Sequence, residues 1–222
     1  MGVYLFKYSG TNIYFQAAKK LIDVLSRSLR ERKKTLLLLS GGSVIALYPK
    51  LAKFTQLKIA QVDERFQPEN KDDVNAEAIA KTGFLLPYYK VRQDTTLAEA
   101  ARGYDNEISK LMEWADYKVA VLGIGEDCHT AGLIPGYKDS WNKDSFVVGY
   151  TLTNDQKFRQ RITVTPKLVK QLDYALVVAI GEKKKTAIQN ALKKENLRKL
   201  NKFPEALIQK IKKVDLYTDI IS

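Results

Sequence analysis

The stretch TLLLLSGGSVIALYPKLAKF, Thr35 to Phe54, carries the pattern that decides the fold: an unbroken aliphatic run, two glycines framed by serines, and a second apolar segment. A strand covered on both faces has no polar side to alternate with, so Thr35–Leu39 predicts a strand inside a parallel sheet. Ser40-Gly41-Gly42-Ser43 then turns the chain into Val44–Phe54, which reads as a helix.

The same unit recurs on either side. A short opening strand leads into Ile13–Arg32, where Ala17, Leu21, Val24, Leu25 and Leu29 stand at helical spacing opposite a charged face. Leu57–Val62 predicts a strand ending at Asp63-Glu64-Arg65, followed by helices over Asp73–Phe84 and Ala98–Glu113. Tyr117–Gly123 and Tyr174–Ile180 are further buried strands, the second opening into Gly181 and a helix over Lys183–Lys194. Arg161–Thr165 and Val214–Thr218 are shorter strands. Apolar strands alternating with amphipathic helices predict a doubly wound, Rossmann-like α/β fold, a mostly parallel sheet flanked by helices on both faces. Without an internal repeat, low-complexity tract or linker, residues 1–222 read as a single domain.

Composition narrows the function classes. A 45% hydrophobic content excludes a disordered chain. The 37 Lys and Arg against 25 Asp and Glu give a formal charge of +12, which favours an anionic partner. Much of that charge lies in Arg27–Lys34 and Lys183–Lys213, where no RNA- or DNA-binding signature interleaves aromatics with the basic residues, so nucleic acid is not the expected partner. One cysteine allows no internal disulfide, and there is no Cys/His cluster for a structural zinc. The opening MGVYLFKYSG lacks a secretory pattern, and no apolar run approaches the ~18 residues of a membrane span. The expected location is the cytoplasm.

In open α/β sheets ligands bind beyond the carboxyl ends of the strands, and four polar loops leave from those ends: Ser40–Ser43, Asp63–Arg65, Gly123–His129 and Gly181–Lys184. The Ser40–Ser43 turn offers backbone N–H groups at a helix start, suited to a phosphate, although Gly-Gly also makes an ordinary tight turn. Asp63, Glu64 and Arg65 suit either sugar hydroxyls and a developing oxyanion or a structural ion pair. His129, the only histidine, follows a glycine-rich loop with carboxylates nearby; general base and structural residue both fit it. Cys128 has no second histidine to activate it and reads as a packing residue.

Leu122–Gly136, LGIGEDCHTAGLIPG, resembles the signature of the 6-phosphogluconolactonase family, within the glucosamine-6-phosphate isomerase/6-phosphogluconolactonase superfamily. That signature usually reads L-G-x-G-x-D-G-H-T-A-S-L-F-P-G. Gly123, Gly125, Asp127, His129, Thr130, Ala131, Leu133, Pro135 and Gly136 match it. Further matches follow the family's order: Ser40-Gly41-Gly42, Asp63-Glu64-Arg65 with Asn75 downstream, Arg161-Ile162-Thr163, and Gly181 with Lys184. The resemblance runs from about residue 10 to the end.

It implies hydrolysis of 6-phospho-D-glucono-1,5-lactone to 6-phosphogluconate in the pentose phosphate pathway, without metal or cofactor, by a monomer or weak homodimer. His129 would activate water, held by Asp127, while Arg65 and Asp63 orient the lactone. Ser40, Gly41, Gly42 and Ser43, with Asn75, Arg161 and Lys184, would hold the phosphorylated substrate. Arg65 or a backbone N–H of Gly41-Gly42 would meet the oxyanion. Two other readings are a glucosamine-6-phosphate deaminase or isomerase, whose members carry a glutamate shortly after the histidine where this chain has Leu133-Ile134-Pro135, and a non-catalytic sugar-phosphate-binding protein. Three positions depart from the family: Cys128 for glycine, Gly132 for serine, and Val44-Ile45 for Thr-Pro. A Cβ at position 128 would strain the backbone at positive φ, and Gly132 is expected to restore freedom.

Overall fold

The computed structural model describes residues 2–8, 12–153 and 158–220. Its strands are β1 (Gly2–Lys7), β2 (Thr35–Leu39), β3 (Lys58–Gln61), β4 (Asp63–Arg65), β5 (Tyr117–Gly123), β6 (Val147–Thr151), β7 (Gln160–Val164), β8 (Tyr174–Ala179) and β9 (Lys213–Thr218). The α-helices are α1 (Asn12–Arg30), α2 (Asn75–Ala80), α3 (Leu97–Trp114), α4 (Pro166–Val169) and α5 (Lys185–Leu192).

Six strands form one sheet in the order β1-β9-β8-β5-β2-β3, with every pairing parallel. Because successive side chains point to opposite faces, its central strands feed two cores. Leu37, Leu39, Val119, Val121, Leu176 and Val178 pack with α1 and with Leu47 and Leu51. Leu36, Leu38, Ala120, Leu122, Ala175 and Val177 pack on the other face with α3 and α5. This double covering is why β2 and β8 read as continuous apolar runs.

The helices form for local reasons. Helix α1 buries Ile13, Ala17, Leu21 and Leu25 along one stripe and ends with Arg27 and Arg30, whose charges suit a helix C-terminus. Helix α3 opens on a reciprocal cap: Thr96 accepts from the Glu99 N–H, and the Glu99 carboxylate accepts from the Thr96 N–H.

Four expectations change. Val44–Phe54 is not an α-helix; a 3₁₀ helix spans Gly42–Leu51, and Pro49 inside it removes a backbone donor. Asp73–Phe84 shortens to α2 behind a 3₁₀ turn over Lys71–Asp73, and Lys183–Lys194 begins as a 3₁₀ turn over Glu182–Lys184. The strand predicted over Arg161–Thr165 is not in the main sheet: as β7 it sits in a second, antiparallel sheet, β4-β7-β6. Strand β6 has no counterpart in the predicted pattern. Its Gly149 lies against α3, where a Cβ would meet Ala101 Cβ at 2.8 Å.

The two sheets are joined at Val62. Its N–H donates to Leu39 O of the main sheet at 2.8 Å, and its carbonyl accepts from Val164 N–H beside the small sheet at 2.9 Å. One residue thus carries the chain from β3 into β4.

Candidate active site

The loops after β2, β3, β5 and β8 open on one cavity of about 320 Å³, lined by Ser40, Gly41, Gly42, Ser43, Asp63, Arg65, Asn75, His129, Arg161 and Lys184. Gly123, Ile124, Gly125, Val44 and Ala131 complete its wall. Asp127 is the one predicted site residue outside the lining; it stands behind His129, its Oδ1 hydrogen-bonded to the ring Nδ1.

On one side the chain leaves β2 through Ser40, whose carbonyl accepts from the buried Tyr48 hydroxyl at 2.6 Å. The Ser40 hydroxyl oxygen is buried with no hydrogen-bond partner among the described residues. Gly41 has ordinary backbone angles, and its missing side chain matters for space: a Cβ would run into the Asn75 amide. Gly42 turns at φ 73°, in the left-handed region that glycine adopts without strain.

The charged triplet divides its labour. Glu64 is turned inward, where its carboxylate accepts from Gln61 Nε2 at 2.7 Å, Arg65 N–H at 2.8 Å and Ala76 N–H at 2.9 Å, and from Asn75 N–H. It closes the start of α2, and burial still pushes its carboxyl above the ordinary value. Asp63 faces the cavity. Burial raises its carboxyl too, opposed first by Arg161, then by His129 and the Asn75 hydrogen bond. Asn75 Nδ2 donates to Asp63 O at 3.0 Å and Oδ2 at 3.3 Å, so α2 and β4 hold one another. Arg65 donates to Asp73 O at 2.9 Å and lies 4.0 Å above the Phe158 ring.

Two cations close the far side. Arg161 pairs across from Arg65 in the small sheet, and its Nε is buried without a hydrogen-bond partner among the described residues. Lys184 follows β8; burial lowers its ammonium value, opposed by Glu126 and Asp219. Arg65, Arg161 and Lys184 around one cavity make it a receptacle for anions.

His129 is held by a looped backbone. Gly125 N–H donates to His129 O at 2.9 Å, and a Cβ on Gly125 would strike both the imidazole and the Asp127 carboxylate. The hydrogen bond from His129 holds the Asp127 carboxyl below its usual range. With Nδ1 committed to Asp127, Nε2 is left to accept a proton. Cys128 and Ala131 have φ values of 69° and 53°, so the departure from glycine at position 128 does fall at a left-handed position. Gly132 does not restore freedom there. It is a point of close approach, donating to Thr163 Oγ1 at 2.9 Å, and a Cβ would meet Thr163 Cβ at 2.7 Å.

Sequence reasoning missed Glu64 as the organiser of α2, because its partners are eleven and twelve residues away with no periodic signal. Among the described residues no cluster of three or more His, Cys, Asp or Glu is arranged to hold a metal ion, and no helix is long and apolar enough to cross a membrane.

A parallel α/β sheet with a cationic cavity and an aspartate-backed histidine at its carboxyl rim defines a Rossmann-like α/β protein. The family model described as glucosamine-6-phosphate isomerases/6-phosphogluconolactonase matches residues 9–217, and the chain belongs to that family. It is 28% identical to 6-phosphogluconolactonase of Xylella fastidiosa over 192 residues, 78% of each chain. It is 26% identical to the chloroplastic 6-phosphogluconolactonase 3 of Arabidopsis thaliana over 209 residues, 82% of this chain. The chain spans 64% of that plant protein's length and 61% of a chloroplastic rice relative's. In fold it matches the crystal structure of 6-phosphogluconolactonase from Thermotoga maritima, with a TM-score of 0.80, 21% identity, and coverage of 97% of this chain and 98% of that one. A monomeric glucosamine-6-phosphate deaminase also shares the fold, with a TM-score of 0.72, 17% identity, and coverage of 98% and 97%.

Proposed function

We propose that this chain hydrolyses 6-phospho-D-glucono-1,5-lactone to 6-phosphogluconate, as the names of its relatives suggest, and so serves the pentose phosphate pathway. The observation that carries the proposal is the single cavity where an aspartate-backed His129 faces three cations and the Ser40–Ser43 turn. In this reading the substrate phosphate lies on the Ser40–Ser43 turn beside Arg161 and Lys184, with Asn75 supporting Gly41. Asp63 and Arg65 orient the lactone ring and its hydroxyls.

The chemistry needs little more. His129 Nε2 takes a proton from water as the water oxygen bonds to the lactone carbonyl carbon, and Asp127 stabilises the imidazolium. The carbonyl oxygen becomes an oxyanion, met by Arg65 or a backbone N–H of the Gly41-Gly42 turn. Collapse breaks the bond to the ring oxygen, which leaves as an alkoxide and takes the proton back from His129. The tethered product is a free acid that ionises in solution. General-base catalysis supplies about 10²–10⁴-fold of the rate, and orientation supplies the remainder.

The deaminase reading lacks its carboxylate: the loop after His129 continues through the fully buried Leu133 to Ile134 and Pro135. The proposal extends to a single cytoplasmic domain acting as a monomer or weak homodimer. The test is hydrolysis of 6-phosphogluconolactone above its spontaneous rate, with His129→Ala beside the parent. If both match the uncatalysed rate while a sugar phosphate still binds, the chain is a binding protein and the hydrolase reading is lost.

A further inference from the structure

The small sheet turns one face toward the cavity and holds the His129 loop with that same face. Between β4 and β7, Asp63 pairs with Thr163 and Arg65 with Arg161, and Tyr150 of β6 pairs with Arg161. Paired residues share a face of a sheet, as do residues two apart along a strand, so these five side chains stand on one face. Asp63, Arg65 and Arg161 line the cavity. Thr163 and Tyr150 reach Gly132 instead.

Gly132 is held by both of its backbone polar groups. Its N–H donates to Thr163 Oγ1 at 2.9 Å, and its carbonyl accepts from the Tyr150 hydroxyl. Thr163 is 0% exposed, and its hydroxyl has both roles filled, because it donates in turn to Val164 O at 3.1 Å. A Cβ on Gly132 would meet Thr163 Cβ at 2.7 Å and Asp63 Cβ at 3.4 Å, so the loop lies directly on the sheet.

Backbone bonds carry this grip from Gly132 to the base. Thr130 N–H donates to Leu133 O at 3.3 Å and Leu133 N–H to Thr130 O at 3.0 Å, which closes the turn around Gly132. On the other side His129 O accepts from Gly125 N–H at 2.9 Å, and Thr130 Oγ1 donates to Gly123 O at 3.0 Å. These last two bonds tie the loop to the end of β5. They set no distance from His129 to Asp63, Arg65 and Arg161, which stand on the small sheet.

We propose that Thr163 and Tyr150 are positioning residues for His129: by gripping Gly132 they fix how far the imidazole stands from the charged side chains that the same sheet face sends into the cavity. The inference rests on the reading of His129 as the water-activating base. In that reading Asp63 and Arg65 orient the lactone, so the distance set by the grip is the one between base and carbonyl carbon. A loop freed from the small sheet still leaves the Ser40–Ser43 turn and Lys184 to bind substrate, but presents its base from a less defined position. The loss then falls on kcat.

His129 is the only histidine, so in tag-free labelled protein every imidazole signal is its own. Thr163→Val keeps the branched shape and removes the acceptor. It is expected to move those signals and to lower kcat about tenfold with KM within about twofold. Thr163→Ser restores the oxygen and is expected to stay within about threefold of the parent. Tyr150→Phe removes only the grip on the carbonyl. It is expected to move the signals with about a threefold fall in kcat, and it serves if Thr163→Val does not fold. The double variant is expected to lose less than the product of the two losses, because the second anchor does little once Gly132 is free.

A lowered Tm with kcat and the His129 signals unmoved, a loss in Thr163→Ser as large as in Thr163→Val, or losses that simply multiply in the double variant would each overturn the proposal. If the parent has no lactonase activity, the hydrolase reading fails by itself. The imidazole signals still decide whether the small sheet positions the ring.

Discussion

Two of the loops that bound the cavity are built on opposite plans. The Ser40–Ser43 turn meets its left-handed position with a glycine, Gly42, and a Cβ built there would find nothing within 4 Å. The His129 loop crosses its left-handed positions with Cys128 and Ala131, and is pinned by side chains. Thr130 Oγ1 donates to Gly123 O at 3.0 Å, Gly132 N–H donates to Thr163, and the Tyr150 hydroxyl donates to Gly132 O. A loop that presents backbone N–H groups needs only a backbone shape. One that aims an imidazole must restrain a ring as well, and here packing supplies that restraint.

The largest break in this comparison is His129→Ala. It is expected to lower kcat by about 10²–10⁴-fold with little change in KM, because it removes the proton acceptor and leaves the anion turn intact. A pH-stat assay corrected for spontaneous hydrolysis measures it. Next is Lys184→Ala, which acts on the anion side and is expected to raise KM about tenfold while kcat falls less. Initial rates over a range of lactone concentration separate the two constants, and a loss confined to kcat would contradict the assignment.

Gly42→Ala sharpens the contrast in stability. No neighbour obstructs its Cβ, so the cost is conformational and is expected near 1–2 kcal/mol, read as a Tm several degrees lower by calorimetry. Cys128→Gly relieves the same kind of strain but adds unfolded-chain entropy and loses the contact of the thiol with Asn190, so a change within about 1 kcal/mol is expected. The smallest effect is in pH dependence. Burial makes Glu205 hold its proton more tightly folded than unfolded, so it contributes stability that declines as pH rises from the usual 4.5 through about 6. Denaturation of Glu205→Gln across that window is expected to lack this decline, and parallel curves for the two proteins would refute it.

Much of this arrangement was legible in the sequence where a residue's own neighbours along the chain determine its surroundings. Strands β2 and β8 announce burial on both faces by their aliphatic runs, and α1 announces one buried face by its four-residue spacing. The carboxyl ends of parallel strands share one edge of the sheet, which is why residues as far apart as Ser40 and Lys184 meet. The small sheet was not legible. Strand β4 is three charged residues, and β6 carries a glycine whose reason is the nearness of Ala101. The inward turn of Glu64 depends on distant contacts that no local pattern encodes. Pro49 is the one local signal within Val44–Phe54 against an α-helix, because it removes a backbone donor.

The junction at Val62 has a consequence for how such a site can diversify. The anion turn and His129 hang from the main sheet, whereas Arg65 and Arg161 belong to the three-stranded one; Val62 bonds to both frames, and Thr163 and Tyr150 tie the His129 loop to the smaller one. Ile162 and Val164 of β7 share a core with β2, β5 and β8 while Arg161 lines the cavity, so a change confined to position 161 alters the lining without repacking that core. A lineage built this way can retune one side of its anion grip while inheriting the Ser40–Ser43 turn and Lys184 unchanged.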